Sequence, residues 1–221
     1  MTDQHGFHPA AFTTASTEPD ARFYAGRPPG ALMDAGARAA VTALYQTVLP
    51  EGAWVLDLMA GDDSHLPPDT SCEAVIGIGL DAAALDANPR LTQRIVQDLN
   101  EDPVLPLPDD SLDAVCLCDA APYLRRPLEI LAEAARVLRP GGIVVFTFAE
   151  RLLPGKAVAL WQALEGADRS RLLTILLGRA GFVFIDTGEV QPPVDDPAWL
   201  DAVYAVTARK PGAASIYSTN D

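Results

Sequence analysis

Four aspartates stand where an apolar, strand-like run gives way to a turn: Asp57, Asp81, Asp98 and Asp119. The clearest case is Trp54-Val-Leu-Asp57, which breaks into a small-residue turn at Ala60-Gly61 and continues through Asp62, Asp63, Ser64 and His65. A buried strand that delivers an acid to a tight turn builds a ligand crevice at the carboxyl edge of an open α/β sheet. His65 is the one histidine beside this turn, the others being His5 and His8. Its intrinsic pKa suits a general base, and a capping or loop-packing role is the alternative. No histidine or cysteine spacing points to a metal site. Cys116 and Cys118 lie two apart on one strand face and are expected to pack in the core, as is usual for free thiols.

A second pattern competes for the crevice. Gly77-Ile-Gly79-Leu-Asp-Ala82 matches G-x-G-x-x-A after a strand, with Asp98 near the roughly 20-residue distance of a dinucleotide fingerprint. The helix that follows is cut short by Asn88-Pro89, which leaves little to dock on a pyrophosphate. A complete strand with its own acidic turn also precedes it, so this is the second strand and not the first.

The elements that must position these residues alternate along the chain. Strands are predicted at 54–58, 74–80, 94–97, 112–118 and 143–148, and a helix at 31–48 that Pro50-Glu-Gly52 ends. Another helix opens on Pro127, carries Leu128, Leu131, Ala135 and Leu138 at helical spacing, and stops at Arg139-Pro-Gly-Gly142. Helices at 157–164 and 169–177 and strands at 182–190 and 202–208 complete the chain. The link between the final two strands is too short for a parallel crossover, which needs about a dozen residues, so the last strand is expected to be antiparallel. The fold class is therefore α/β: a Rossmann-like, doubly wound, mostly parallel seven-stranded sheet with an antiparallel last strand. Residues 1–20 read as poorly ordered, 21–210 as a single domain, and 211–221 as a mobile tail.

Bulk properties exclude several classes. The 221 residues suffice for one domain with a sizeable core. A net charge of −14 repels phosphate backbones and argues against nucleic acid. No apolar run is long enough to span a bilayer, and the N-terminus lacks signal-peptide character. Cys72, Cys116 and Cys118 form no disulfide framework, so a cytoplasmic setting is expected.

Val55-Leu-Asp57 with its turn, Asp98-Leu99, Leu105-Pro-Leu-Pro-Asp-Asp-Ser-Leu-Asp113 and Arg136-Val-Leu-Arg-Pro-Gly-Gly142 together make the chain resemble the class I S-adenosylmethionine-dependent methyltransferases. The last two anchors are the most specific, and the resemblance spans roughly residues 55–209. Leu58-Met59, Ser64-His-Leu-Pro67 and Asp98-Leu-Asn100 resemble a less characterised branch of that group. The resemblance implies S-adenosyl-L-methionine as cofactor, held by Asp57, Met59, Ala60, Gly61, Gly79, Leu80, Asp81, Asp98, Leu99, Asp119 and Ala120. Asp57 would sit near the cofactor's ammonium or the loop amides, and Asp98 with Leu99 would hold the adenine. The family's ribose-binding acid ends the second strand, a position taken here by Gly79. Asp81 is the nearest acid, with helix capping as its other role. The family's first loop carries several glycines, whereas this one has only Gly61.

The expected function is methyl transfer to a small-molecule acceptor. A non-catalytic, ligand- or partner-binding relative is the alternative, and a nicotinamide-dependent oxidoreductase a third. Tyr24 and Tyr123, with His65, are the candidates for catalytic roles, and lid packing is open to both tyrosines. Arg151 and Lys156 follow the fifth strand, where they would meet an anionic acceptor or sit in a solvated loop.

Overall fold

A computed structural model describes residues 6–8, 10–24 and 32–212. The expectations for 1–5, 9, 25–31 and 213–221 lie outside the described residues. Seven strands form one sheet in the order β3-β2-β1-β4-β5-β7-β6. They are β1 (Trp54–Leu58), β2 (Ala74–Gly79), β3 (Gln93–Val96), β4 (Leu112–Cys118), β5 (Leu138–Phe148), β6 (Val183–Val190) and β7 (Val203–Arg209). β1 pairs in parallel with β2 and β4, β2 with β3, and β4 with β5. β7 pairs antiparallel with both β5 and β6, and the 191–202 link between β6 and β7 contains no helix that would make a crossover. The strand order reverses between β1 and β4, which opens a crevice at their carboxyl ends.

The period-two alternation of strand side chains divides the core between two faces. Leu56, Leu58, Ile76, Ile78, Val115, Leu117, Val144 and Phe146 pack on one face, with α4 (Pro127–Val137) and α6 (Gly166–Arg179). Val55, Val75, Ala114, Cys116 and Val145 pack on the other, against Val41 and Tyr45 of α2 (Ala35–Val48). Two short helices, α1 (Asp20–Tyr24) and α3 (Ala82–Ala87), reach the crevice, and α5 (Ala159–Gln162) packs Trp161 against the sheet.

Three differences from the sequence reading stand out, while other element ends shift by one to three residues. α2 begins only at Ala35, because Asp34 caps it by accepting from the Ala37 amide at 2.8 Å. β5 begins at Leu138, so Arg139-Pro-Gly-Gly142 extends a strand directly from the helix end, with a register break between its Leu112 and Ala114 pairings. Residues 10–20, read as poorly ordered, are hydrogen-bonded along residues 155–160, for example from Ser16 N to Gly155 O at 2.8 Å.

Candidate active site

The carboxyl ends of β1 to β4 line one cavity of about 480 Å³. The β1 loop contributes Met59, Ala60 and Gly61; β2 contributes Gly79, Leu80 and Asp81; the β3 end contributes Gln97, Asp98 and Leu99. Cys118, Asp119, Ala120 and Tyr123 come from the β4 end, and Tyr24, Leu32 and Leu153 complete the lining. Every cofactor-site residue named from the sequence lines this cavity except Asp57. Leu32, Ala84, Gln97, Cys118 and Leu153 line it without having been named. Gln97, Cys118 and Ala84 each neighbour a named acid in sequence or in the turn that it caps. Leu32 and Leu153 carried no local signal.

Backbone geometry shapes the β1 loop. Met59 stands at φ +59°, the left-handed region where glycine is favoured. Ala60 N then donates to Ile78 O at 2.8 Å, which carries the loop along the β2 end. A β-carbon at Gly79 would run into the Ala60 carbonyl oxygen. The absent family acid therefore has a physical cause: this loop path leaves room only for glycine at position 79. The buried Asn88 fixes the loop from behind, donating from Nδ2 to Gly61 O at 3.0 Å and to Ser64 Oγ at 2.9 Å.

The acids divide by environment. Asp81 caps α3, accepting at Oδ1 from Ala83 N and Ala84 N at 2.8 and 3.3 Å, and also lines the cavity, so both roles open to it coexist. Asp98 accepts from Asn100 N at 2.9 Å in a tight turn. Asp119, itself at φ +49°, accepts from Ala149 N at 3.1 Å and ties β4 to β5. Burial pushes its pKa up to about 6 against the pull of that amide, with Asp201 adding a small upward push.

Asp57 corrects the sequence reading. Its side chain shares the α2 face with Val55, so it points beneath the loop and not into the cavity. It bonds to the Ser64 hydroxyl, and burial raises its pKa to about 7. Its Oδ2 is buried without a hydrogen-bond partner. His65 is also displaced from the cavity. It turns back on its own loop, with Nδ1 3.0 Å from Asp63 Oδ2, and burial lowers its pKa while Asp63 raises it. Neither cation expected to meet an anionic acceptor is free to do so. Arg151 lies 2.6 Å from Asp201 Oδ2 and Lys156 lies 2.6 Å from Asp20 Oδ1. Tyr123 and Tyr24 meet edge to face with centroids 6.5 Å apart, and the Tyr123 hydroxyl accepts from Leu153 N at 3.0 Å.

The G-x-G-x-x-A stretch makes no pyrophosphate cradle. It lies on the second strand, and a β-carbon at Gly77 would meet the Leu91 side chain. The helix after it, α3, has six residues. Cys116 and Cys118 pack toward α2, and all three cysteines are unpaired.

Comparison with known proteins agrees with this geometry. Residues 56–146 match the family described as Methyltransferase domain. A relative described as an uncharacterized methyltransferase, from Mycobacterium ulcerans (strain Agy99), is 40% identical over 65 residues, 28% of this chain and 26% of that one. The matched stretch thus spans about a quarter of that relative. The fold is similar to that of a SAM-dependent methyltransferase from Thermotoga maritima, with a TM-score of 0.59, 16% identity, and 79% and 90% of the two chains covered. It is also similar to the [4+2]-cyclase SpnF, with a TM-score of 0.58, 20% identity, and 79% and 81% covered. Residues 56–146 thus match a methyltransferase domain, on a fold similar to that of SAM-dependent methyltransferases. That match implies S-adenosyl-L-methionine as the cofactor.

The residues present fit the nucleoside part of that cofactor. Carboxylates stand at the ends of β2, β3 and β4 over the apolar Leu80, Ala84 and Leu99. The methionine end would meet a loop with Met59 in the left-handed position and with Asp57 outside the cavity lining.

Proposed function

We propose that the protein is an S-adenosylmethionine-dependent methyltransferase acting on a small-molecule acceptor. The observation that carries this reading is the convergence of Asp81, Asp98 and Asp119 from three strand ends on one largely apolar cavity at the switch point. In this reading Leu80 and Asp81 receive the ribose diol, Asp98 and the Leu99 amide receive the adenine, and Ala60 and Gly61 run beneath the methionine end. Bound S-adenosylmethionine supplies an electrophilic methyl group on a sulfonium.

The chain's own contribution is alignment and exclusion of water. Tyr24, Tyr123, Leu32 and Leu153 line the cavity and confine the acceptor, and such positioning supplies about 7–11 kcal/mol. The Tyr123 hydroxyl is engaged by Leu153 N, which fits a strut. Asp119 is the lining acid with the raised pKa, and at about 6 it is ionised at neutral pH and able to take a proton from the acceptor. Among the described residues no helix is long and apolar enough to cross a membrane. The unpaired cysteines fit a reducing compartment, and we place the protein in the cytoplasm.

Calorimetry with S-adenosylhomocysteine tests the reading. Binding is expected, with at least a tenfold loss in Asp98→Ala and no binding of NADH. A protein that ignores the nucleoside overturns it. Binding without turnover across a panel of amines, alcohols and thiols would instead select a ligand-binding relative, a change of chemistry that the cyclase SpnF shows this fold can host.

A further inference from the structure

Lys156 and Asp20 form an ion pair between segments 136 residues apart, with side chains 4% and 9% exposed. Lys156 Nζ lies 2.6 Å from Asp20 Oδ1, donates to the Glu18 carbonyl, and sits 5.0 Å from the centre of the Phe23 ring. These contacts close a strap. Residues 10–24 run against 155–160 through Ser16 N to Gly155 O, Ala159 N to Thr13 O and Leu160 N to Ala11 O, at 2.8–2.9 Å. The strap ends in Tyr24, which lines the cavity.

The second oxygen of Asp20 reaches the site by another route. Oδ2 accepts from Asn100 Nδ2 at 3.1 Å. Asn100 is itself buried, and its backbone N–H donates to Asp98 Oδ1 at 2.9 Å. The same Nδ2 donates to Tyr123 O at 3.0 Å, and Oδ1 accepts from Arg125 N at 2.8 Å. Asn100 therefore joins the strap, the β3-end acid and the Tyr123 wall. Arg125 stands 3.8 Å from Asp20 Oδ2 and 2.8 Å from Glu101 at the rim of this cluster.

A buried ion pair contributes little stability relative to an apolar pair of the same volume, because desolvation offsets attraction. What it supplies is directionality. A leucine–methionine contact would fill the space, but it would present no oxygen to Asn100.

We infer that Lys156 and Asp20 latch the strap across the cavity, and that Asp20, acting through Asn100, is a positioning residue for Asp98 and for the adenosine end of the cofactor. The inference rests on the reading of the cavity as an S-adenosylmethionine site.

The test pairs S-adenosylhomocysteine calorimetry with hydrogen exchange on the full chain. In Lys156→Met, exchange at Ser16, Ala159 and Leu160 is expected to quicken at least tenfold, and the nucleoside to bind at least tenfold more weakly. The deciding variant is Asp20→Leu with Lys156→Met, which removes both charges and does not strand either one. It is expected to regain thermal stability and strap protection while still binding at least fivefold more weakly, because Asn100 has lost its partner. Wild-type affinity in that folded double variant overturns the positioning role, and unchanged strap exchange in Lys156→Met overturns the latch. Should Lys156→Met fail to fold, Lys156→Gln takes its place in the exchange measurement of the latch, and the double variant decides the positioning role. If the unaltered protein ignores the nucleoside, the cofactor reading fails first and this inference falls with it. Binding by wild type and double variant alike sinks only the inference.

Discussion

The carbonyl oxygen of Ala60 fills the space that a β-carbon on Gly79 would need. The β1 loop and the β2 end therefore specify each other. Gly79→Asp would restore the acid that the family carries at this position, yet it is expected to abolish S-adenosylhomocysteine binding, because the loop must move to admit any side chain. Calorimetry on the folded variant checks this. Tighter binding would show that the loop yields easily.

Met59 holds a left-handed backbone at φ +59° without being glycine. Met59→Val is expected to lose about 1–2 kcal/mol in urea denaturation, since a β-branched side chain tolerates this region worst. Met59→Gly trades its side-chain packing for relief of strain and is expected to stay within about 1 kcal/mol of the unaltered protein.

Asp57 sets a pH dependence of stability. Its native pKa of about 7 lies above the 3.8 of an exposed aspartate, so the folded state holds the proton more tightly. Stability is then greatest below about pH 4 and is lost as pH rises toward 7. Asp57→Asn is expected to flatten this slope and to gain on the order of 2–4 kcal/mol at pH 8. Asp119, raised to about 6, adds a smaller total loss in the same direction, over a narrower pH window. Melting curves from pH 4 to 8 read this directly. Nucleoside affinity should be unchanged, because the side chain does not line the cavity.

Arg136 clamps the segment that follows the β3 end. It donates to Leu105 O and Leu107 O, both at 2.8 Å, and pairs with Asp109 at 2.6 Å and Glu133 at 2.7 Å. Arg136→Ala is expected to cost about 2–3 kcal/mol in urea denaturation, and Arg136→Lys to recover only part of it, since lysine lacks the fork.

These contacts show what made the fold legible. Leu105-Pro-Leu-Pro-Asp109 and Arg136-Val-Leu-Arg139 are separated in sequence but bonded in space, so their joint presence carries tertiary information. The strand ends were legible because each is fixed locally, by an apolar run meeting a turn. Asp81, Asp98 and Asp119 therefore fall at one cavity, as their positions imply. Asp57 was misread because alternation gives its parity with Val55 but not which face α2 covers. Lys156 was misread for a different reason. Nothing near it in sequence reveals that Asp20 will bury it. The loops of His65 and Asp119 adopt φ of +53° and +49°, a conformation no residue type there announces.

The final strand, β7, is flanked on both sides, by β5 and by β6. Because β6 joins the sheet through β7, the β5 edge lacks its native partner until Val203–Arg209 has been made. A nascent or clipped chain lacking Val203–Arg209 would present an unpaired, apolar margin through Val144, Phe146 and Phe148. Proteolytic loss at this one element should thus convert a closed sheet into an aggregating one.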